Sequence, residues 1–334
     1  MSMKAQESRN LTRDFIKDHW KSTIHVNTAD SGTLIGLPRP YTVPGTGGSF
    51  QEMYYWDTYF TNAGLLGEGM VQQAKNNVDN MIYLVNRYGF MPNGNRTFFL
   101  VRSQPPYLSM MIRDVYERTK DREWLRNVLP ALEREYRFWM RERMSPTGLN
   151  RYGEMAGEER KRAMFASADK RLKVSAIYPG LSDSMKIVLG AHFIAECESG
   201  WDFTPRFAFR CMDYNPVDLN CNLYMYEKNF SFFYKETHSG DPYKWERAAM
   251  LRKQRMQKYC RNPEDGLYYD YDFVNGKRSS ILSAAVFNLL WSRMADKENA
   301  EAIVQHLNRL EAPFGIVACE KTAGTVHYGS PENM

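Results

Sequence analysis

Apolar residues recur three or four positions apart over most of this 334-residue chain. Leu11 and Phe15 follow this spacing near the start, and Val78, Met81 and Val85 follow it further on. Such spacing puts the apolar side chains on one face of an α-helix. The pattern predicts about ten helices, at residues 7–23, 56–66, 71–88, 107–120, 122–143, 182–198, 216–237, 242–260, 279–295 and 297–310.

Two long stretches lack this repeat. Residues 27–49 contain three prolines and several glycines, which exclude regular structure, and their apolar residues indicate an ordered loop rather than a linker. Residues 145–174 are polar and charged, and we interpret them as a second long loop. Alternation typical of strands is scarce, and no composition change marks an internal boundary. We therefore predict one all-α domain over residues 1–334.

Composition and charge narrow the function further. The net charge is +5, but the densest basic run, residues 160–162, lies beside Glu158 and Glu159, so we expect a solvated loop and no nucleic-acid partner. No apolar run approaches the length of a membrane helix, and residues 1–10 carry no signal-peptide pattern. Five cysteines without metal-type spacing indicate reduced thiols. These features predict a cytoplasmic protein with no membrane partner, no metal and no cofactor.

The candidate chemistry lies in turns between the helices, at residues 49–57, 91–106 and 198–203. In the last turn, Asp202 follows Trp201 and lies close to Gly200. A glycosidic oxygen leaves poorly unless it is protonated, and the C–H face of a sugar packs on an aromatic ring. An acid beside a tryptophan and a glycine therefore has what a sugar-cleaving site needs, but a Trp-Asp pair caps a helix as often, so the weight comes from the other two turns.

The three turns contain longer motifs. They read Gly47-Gly48-Ser49-Phe50-Gln51-Glu52-Met53-Tyr54-Tyr55-Trp56-Asp57, then Pro92-Asn93-Gly94-Asn95-Arg96 with Arg102-Ser103-Gln104-Pro105-Pro106, and finally Glu198-Ser199-Gly200-Trp201-Asp202-Phe203. In this order, they resemble the signature blocks of the trehalase family, glycoside hydrolase family 37. The resemblance covers the chain from about residue 34 onward.

The resemblance implies an (α/α)6 toroid, a barrel of six helical hairpins, that hydrolyses α,α-trehalose to glucose with inversion. It implies that Asp202 is the general acid. It also implies a set of residues that bind the saccharide substrate: Phe50, Tyr54, Trp56, Asp57, Asn93, Arg102, Ser103, Gln104 and Gly200.

These residues also have ordinary structural interpretations. The alternatives are core packing for Phe50 and Trp56, an ion pair with Asp57 for Arg102, a turn for Asn93, and a helix cap for Asp202. Two further acids near predicted helix starts, Asp183 and Asp218, are interpreted as caps.

The chain departs from the family pattern in several places. Ser49 stands where the family has an arginine. The Arg-Pro-Glu motif is absent, and by spacing Arg160 is the candidate to replace its arginine, with a solvated loop as the alternative. The C-terminal signature is matched at most by residues 327–333, where only the aromatic Tyr328 and Pro331 survive. His327 is a candidate to bond a sugar hydroxyl, with an ordinary satisfied or exposed histidine as the alternative.

The heaviest departure concerns the general base, since no residue of this chain matches the family's second catalytic carboxylate. The helix count also falls short of the two helices per hairpin that six hairpins need. We therefore expect a toroid incomplete at its C-terminus, with the last hairpin missing. Three functions remain open: a trehalase-type hydrolase of trehalose or a related α-glycoside, an inactive sugar-binding homologue, and a helical scaffold for protein partners.

Overall fold

The computed structural model describes the backbone of residues 3–320 and the side chains from residue 6 onward. Helices dominate this part of the chain. They are α1 (Met3–His19), α2 (Tyr55–Gly67), α3 (Val71–Tyr88), α4 (Leu108–Thr119), α5 (Arg122–Glu142), α6 (Glu158–Leu172), α7 (Val174–Ile177), α8 (Asp183–Ser199), α9 (Val217–Thr237), α10 (Pro242–Tyr259), α11 (Asn288–Trp291) and α12 (Lys297–Gln305).

Short elements fill the connections. The 3-10 turns are Trp20–Thr23, Thr97–Phe99, Pro205–Phe207, Cys211–Asp213, Ala284–Phe287 and Leu307–Arg309. The strands are β1 (Ile24–His25), β2 (Tyr41–Thr42), β3 (Tyr214–Asn215), β4 (Tyr271–Asp272), β5 (Lys277–Arg278), β6 (Glu311–Ala312) and β7 (Gly315–Ile316). They form antiparallel sheets of order β1-β2, β3-β4-β5 and β6-β7. The predicted all-α class is confirmed.

Helices close together in the chain pack against each other, α9 against α10 and α6 against α8 most extensively. The α5 helix shows how the sequence produces such a unit. The Asp121 carboxylate accepts a hydrogen bond from the Trp124 N–H at 2.9 Å and caps its start. Leu125, Leu129 and Leu132 then bury one face. The largest cluster of buried apolar side chains lies between α2, α3, α4, α5 and α9.

A buried polar network crosses this cluster. Tyr226 donates to Glu135 at 2.7 Å, and the Tyr55 hydroxyl also donates to Glu135. The Leu108 N–H, at the start of α4, donates to both tyrosine oxygens at 3.1 and 3.0 Å. Burial raises the pKa of Glu135 to about 7, although the two tyrosine hydrogen bonds oppose that shift. One carboxyl group thus links α2, α4, α5 and α9.

Two predicted segments differ from the structure. The loop predicted for residues 145–174 is wrong, since it contains α6. Only Phe165, Ala168 and Leu172 of that helix are buried. These three apolar positions are too few to produce a visible helical repeat among the charged residues of the segment. The helix predicted at residues 279–295 is instead a 3-10 turn followed by the short α11. There the N–H groups of Leu282 and Ala284 bond residues 318–320 rather than a helical turn.

Other boundaries shift by a few residues, whereas α3 spans the predicted residues 71–88 without any shift. Within residues 3–320, no helix is long and apolar enough to cross a membrane. His327 and Pro331 lie outside the described residues. The single domain and the missing last hairpin stay predictions.

Candidate active site

Residues from all three turns line one cavity of about 310 Å³. The lining residues are Phe50, Tyr54, Trp56, Asp57, Asn93, Phe99, Arg102, Gln104, Cys197, Gly200 and Asp202. Three larger cavities in the described part of the chain, of about 480, 520 and 720 Å³, contain none of the predicted site residues. Folding therefore brings most of the predicted site together in one place.

The loop at residues 91–104 holds one wall by hydrogen bonds within itself. The Asn93 N–H donates to the Arg102 carbonyl at 3.0 Å, and Arg102 Nη2 donates to Asn93 Oδ1 at 3.2 Å. Arg102 is buried, yet its Nε and Nη1 have no hydrogen-bond partner among the described residues. No ion pair within 4.0 Å joins it to Asp57 in that part of the chain. Arg102 therefore lines the cavity with a guanidinium group whose hydrogen-bonding capacity is only partly used by the described residues.

The start of α2 forms the neighbouring wall. The Trp56 N–H donates to Gln104 Oε1 at 3.2 Å, which fixes Gln104 beside the indole. Trp56 is half-buried and packs against the main core, so it is both a core and a cavity residue. Burial raises the pKa of Asp57, while hydrogen bonds from its own backbone and from Gln104 oppose the shift. Phe50 is exposed and does not belong to the core.

The end of α8 brings the acid to these walls. Gly200 adopts φ 72°, and an added Cβ would lie 2.6 Å from the Trp56 ring, so glycine permits this close approach. Asp202 opens onto the cavity and has no hydrogen-bond partner among the described residues. Burial raises its pKa, and the positive charges of Arg102 and Arg171 oppose that shift. Asp202 caps no described helix; it is a carboxyl group suited to holding a proton.

Comparison with known proteins agrees with this geometry. The sequence model of the Trehalase family matches residues 2–333. The chain belongs to the trehalase family. The periplasmic trehalase of Xanthomonas campestris pv. campestris (strain B100) is 30% identical over 338 residues, which cover 93% of this chain and 58% of that protein. The probable trehalase of Eremothecium gossypii is 33% identical, covering 90% of this chain and 45% of that protein.

Solved structures give the same result. The neutral trehalase Nth1 of Saccharomyces cerevisiae matches with a TM-score of 0.72 at 30% identity, over 89% of this chain and 60% of that one. A GH63 mannosylglycerate hydrolase from Thermus thermophilus matches with a TM-score of 0.59 at 18% identity, over 87% of this chain and 78% of that one, which shows the fold alone. The predicted (α/α)6 toroid class is confirmed. The chain spans just over half the length of curated trehalase relatives such as the Xanthomonas protein.

Two residues predicted from the trehalase resemblance lie outside the cavity lining. Ser103 is fully buried, and its Oγ donates to the Met91 carbonyl at 2.6 Å, so its side chain faces away from the cavity. Arg160 is exposed on α6 and does not line the cavity; the helix, rather than a solvated loop, carries it. We do not propose either side chain as a substrate ligand.

Two of the residues that line the cavity were not predicted from the sequence. Phe99 lies between the signature halves of the second turn, and the Arg102 guanidinium lies 5.1 Å from its ring centre. Cys197 is half-buried, and burial, together with the negative charge of Asp202, raises the pKa of its thiol to about 12. The only sequence signal for Cys197 is its position three residues before Gly200, on the same helix face.

The interpretation of Asp183 and Asp218 as helix caps is wrong. Ser182 caps α8 through its hydroxyl, and the N-cap position of α9 carries no side-chain cap. Asp218 is instead buried in an ion pair with Arg206 at 2.6 Å, and it accepts from the Trp201 Nε1–H at 3.1 Å. That contact fixes the tryptophan that precedes Asp202.

Proposed function

We propose that this trehalase-family protein is a glycoside hydrolase that cleaves α,α-trehalose, or a closely related α-glycoside, with Asp202 as the general acid. The observation that carries the proposal is the position of Asp202. It is an unpaired carboxyl group with a raised pKa, in a cavity that also holds Arg102, Gln104 and Trp56. The trehalase names of the relatives support the substrate class.

The chemistry follows from these groups. A raised pKa keeps the Asp202 carboxyl protonated closer to neutral pH, so that it can donate its proton to the leaving glycosidic oxygen. The Arg102 guanidinium, which lines the cavity, is suited to donating to sugar hydroxyl oxygens. Asn93, Gln104 and Asp57 add acceptors for hydroxyl protons. Trp56 offers a flat face to a pyranose ring.

Inversion requires a second carboxylate, roughly 6.5–9.5 Å from the acid, to activate water on the opposite face of the sugar. We assign no such base among the described residues. Asp57, the other carboxylate of the cavity lining, is assigned to hydroxyl binding because it pairs with Gln104.

The test is glucose release from trehalose by the full chain, with the product anomer followed by proton NMR. Replacing Asp202→Asn is expected to lower kcat by roughly 10²–10⁴-fold and to spare sugar binding, because it removes the proton but keeps the shape. Asp183→Asn, at an exposed acid at the start of α8, is the matched control and is expected to keep full activity.

Unchanged turnover in the Asp202 variant would refute the assignment. Binding of trehalose by the unaltered protein without glucose release would indicate the inactive sugar-binding homologue instead. A panel of other α-glycosides tests whether Ser49, in place of the family's arginine, changes substrate choice.

We further propose a cytoplasmic location, supported by five cysteines that are all free thiols. Several relatives are named periplasmic trehalases, which makes the periplasm the competing location. Fractionation of the native cells, followed by detection of the protein in each fraction, distinguishes the two.

A further inference from the structure

Glu198 is a fully buried carboxylate with four hydrogen bonds. Its Oε1 accepts from the Ser103 N–H at 2.8 Å and from Arg143 Nη2 at 2.9 Å. Its Oε2 accepts from Arg143 Nε at 2.8 Å and from the Gly153 N–H at 2.7 Å. Charge-assisted bonds of this length, away from water, are strong and directional.

These bonds join separate parts of the proposed active site. Ser103 lies between Arg102 and Gln104, which both line the cavity, and Glu198 lies four residues before Asp202. We propose that Glu198 and Arg143 are a positioning pair, which sets the placement of Arg102 and Gln104 relative to Asp202. This inference rests on the proposed glycosidase function, and nothing in it requires either residue to touch the sugar.

The segment after α5 is part of the same arrangement. Besides the Gly153 bond to Glu198, the Met155 N–H donates to the Val101 carbonyl at 2.8 Å, next to Arg102. An added Cβ at Gly153 would lie 2.9 Å from Arg143 Nε and 3.1 Å from its Cζ. Glycine at this position therefore leaves room for the arginine to reach Glu198.

If the Glu198–Arg143 pair holds Arg102 in place, removing the pair is expected to change the pKa of Asp202. The groups that act on Asp202 are the cations Arg102 and Arg171, and its neighbours on α8 are Glu196 and Cys197. The Glu196 carboxyl is buried without a hydrogen-bond partner among the described residues, and burial raises its pKa well above the ordinary value. Arg102 lowers the pKa of Asp202. If Arg102 moves away, that pKa rises.

The sign of the resulting activity change follows. A general acid must be protonated, so activity falls as the pH rises through the pKa of Asp202. Releasing Arg102 is therefore expected to move the alkaline limb of the kcat/KM profile to higher pH, while kcat/KM itself falls. A residue with a purely structural role would lower the amount of folded protein and leave the position of that limb unchanged.

The experiment compares two double variants of the full chain. Glu198→Gln with Arg143→Gln removes the positioning pair without leaving an unpaired buried charge. Glu227→Gln with Arg252→Gln is the matched control, because that ion pair is equally buried, at 2.8 Å, and neither residue lines the cavity. Gly153→Ala is expected to displace Arg143 while keeping both charges. This variant replaces the first double variant in the experiment if that protein does not fold.

Two readouts are measured in each protein: the pH profile of kcat/KM with trehalose, and the ¹³C NMR titration of the Asp202 carboxyl. For the positioning variants we expect kcat/KM to fall by roughly 10- to 100-fold, with the Asp202 pKa raised by about half a pH unit or more. We expect the control pair to leave the Asp202 titration at its original pH.

Equal Asp202 titrations in the folded positioning variants and the unaltered protein would overturn the inference. The titration does not depend on turnover, so it decides the matter even if the unaltered protein releases no glucose. Absence of glucose release by the unaltered protein would refute the proposed hydrolysis and leave the test of the positioning pair intact.

Discussion

Replacement of Gly200 by alanine tests how the end of α8 meets the start of α2. Gly200 and Gly89 each follow a helix in the left-handed region, at φ 72° and 86°. At Gly89 an added methyl group meets no atom within 4 Å, whereas at Gly200 it would lie 2.6–2.9 Å from three atoms of the Trp56 ring. Both substitutions strain the backbone in the same way, but only Gly200→Ala adds a steric clash, between the new methyl group and the Trp56 ring.

The magnitudes follow from this difference. Left-handed backbone costs an alanine about 1–2 kcal/mol, which is the expected loss of unfolding free energy for Gly89→Ala. Gly200→Ala adds the cost of overpacking against the indole, so we expect a total loss of about 2–5 kcal/mol. Because Trp56 lines the cavity, its displacement is also expected to weaken trehalose binding by roughly three- to tenfold, the value of one aromatic contact.

Urea unfolding followed by circular dichroism gives the free energies of the unaltered protein and both variants, and calorimetric titration with trehalose gives the affinities. Gly89→Ala is expected to bind trehalose like the unaltered protein. Equal stability losses in the two variants, or unchanged affinity in Gly200→Ala, would show that the indole does not pack against the acid-bearing turn as described.

Two further predictions concern carboxyl groups whose pKa burial raises, the half-buried Asp114 and the fully buried Glu135. Burial and the neighbouring Glu117 raise the pKa of Asp114 from 3.8 to about 6, so ionisation of Asp114 disfavours the folded state as the pH rises through that range. Asp114→Asn is therefore expected to increase the unfolding free energy at pH 8 by at most about 3 kcal/mol and to give no gain at pH 3. Urea unfolding at the two pH values measures both effects. Tyr226→Phe removes a hydrogen bond to Glu135 and is expected to lower the unfolding free energy by roughly 1.5–3 kcal/mol, with a larger loss at alkaline pH because the pKa of Glu135 rises further.

Each of these has a clear contrary result. A gain for the Asp114 variant at pH 3 as large as that at pH 8 would exclude ionisation as its cause. For the tyrosine, the exposed Tyr243→Phe is the control, and equal effects of the two replacements would mean that the buried network contributes nothing measurable.

Local pattern was sufficient for most helices. The bounds of α3 follow directly from its apolar repeat, because side-chain periodicity and helix geometry are both properties of neighbouring residues. The local pattern failed to predict the secondary structure where contacts with distant segments determine it. The α6 helix buries only a narrow stripe against α8, and residues 282–284 give their backbone donors to residues 318–320.

The site divides in the same way. The sequence motifs by themselves determined the family resemblance and most of the cavity residues, since composition and order are visible along the chain. Only the tertiary structure decided that Ser103 faces inward, that Cys197 and Phe99 reach the cavity, and that Glu198 bonds a loop far away in sequence. The physical reason is that burial and hydrogen-bond partners depend on which distant segments pack together, and packing is not encoded in any one stretch.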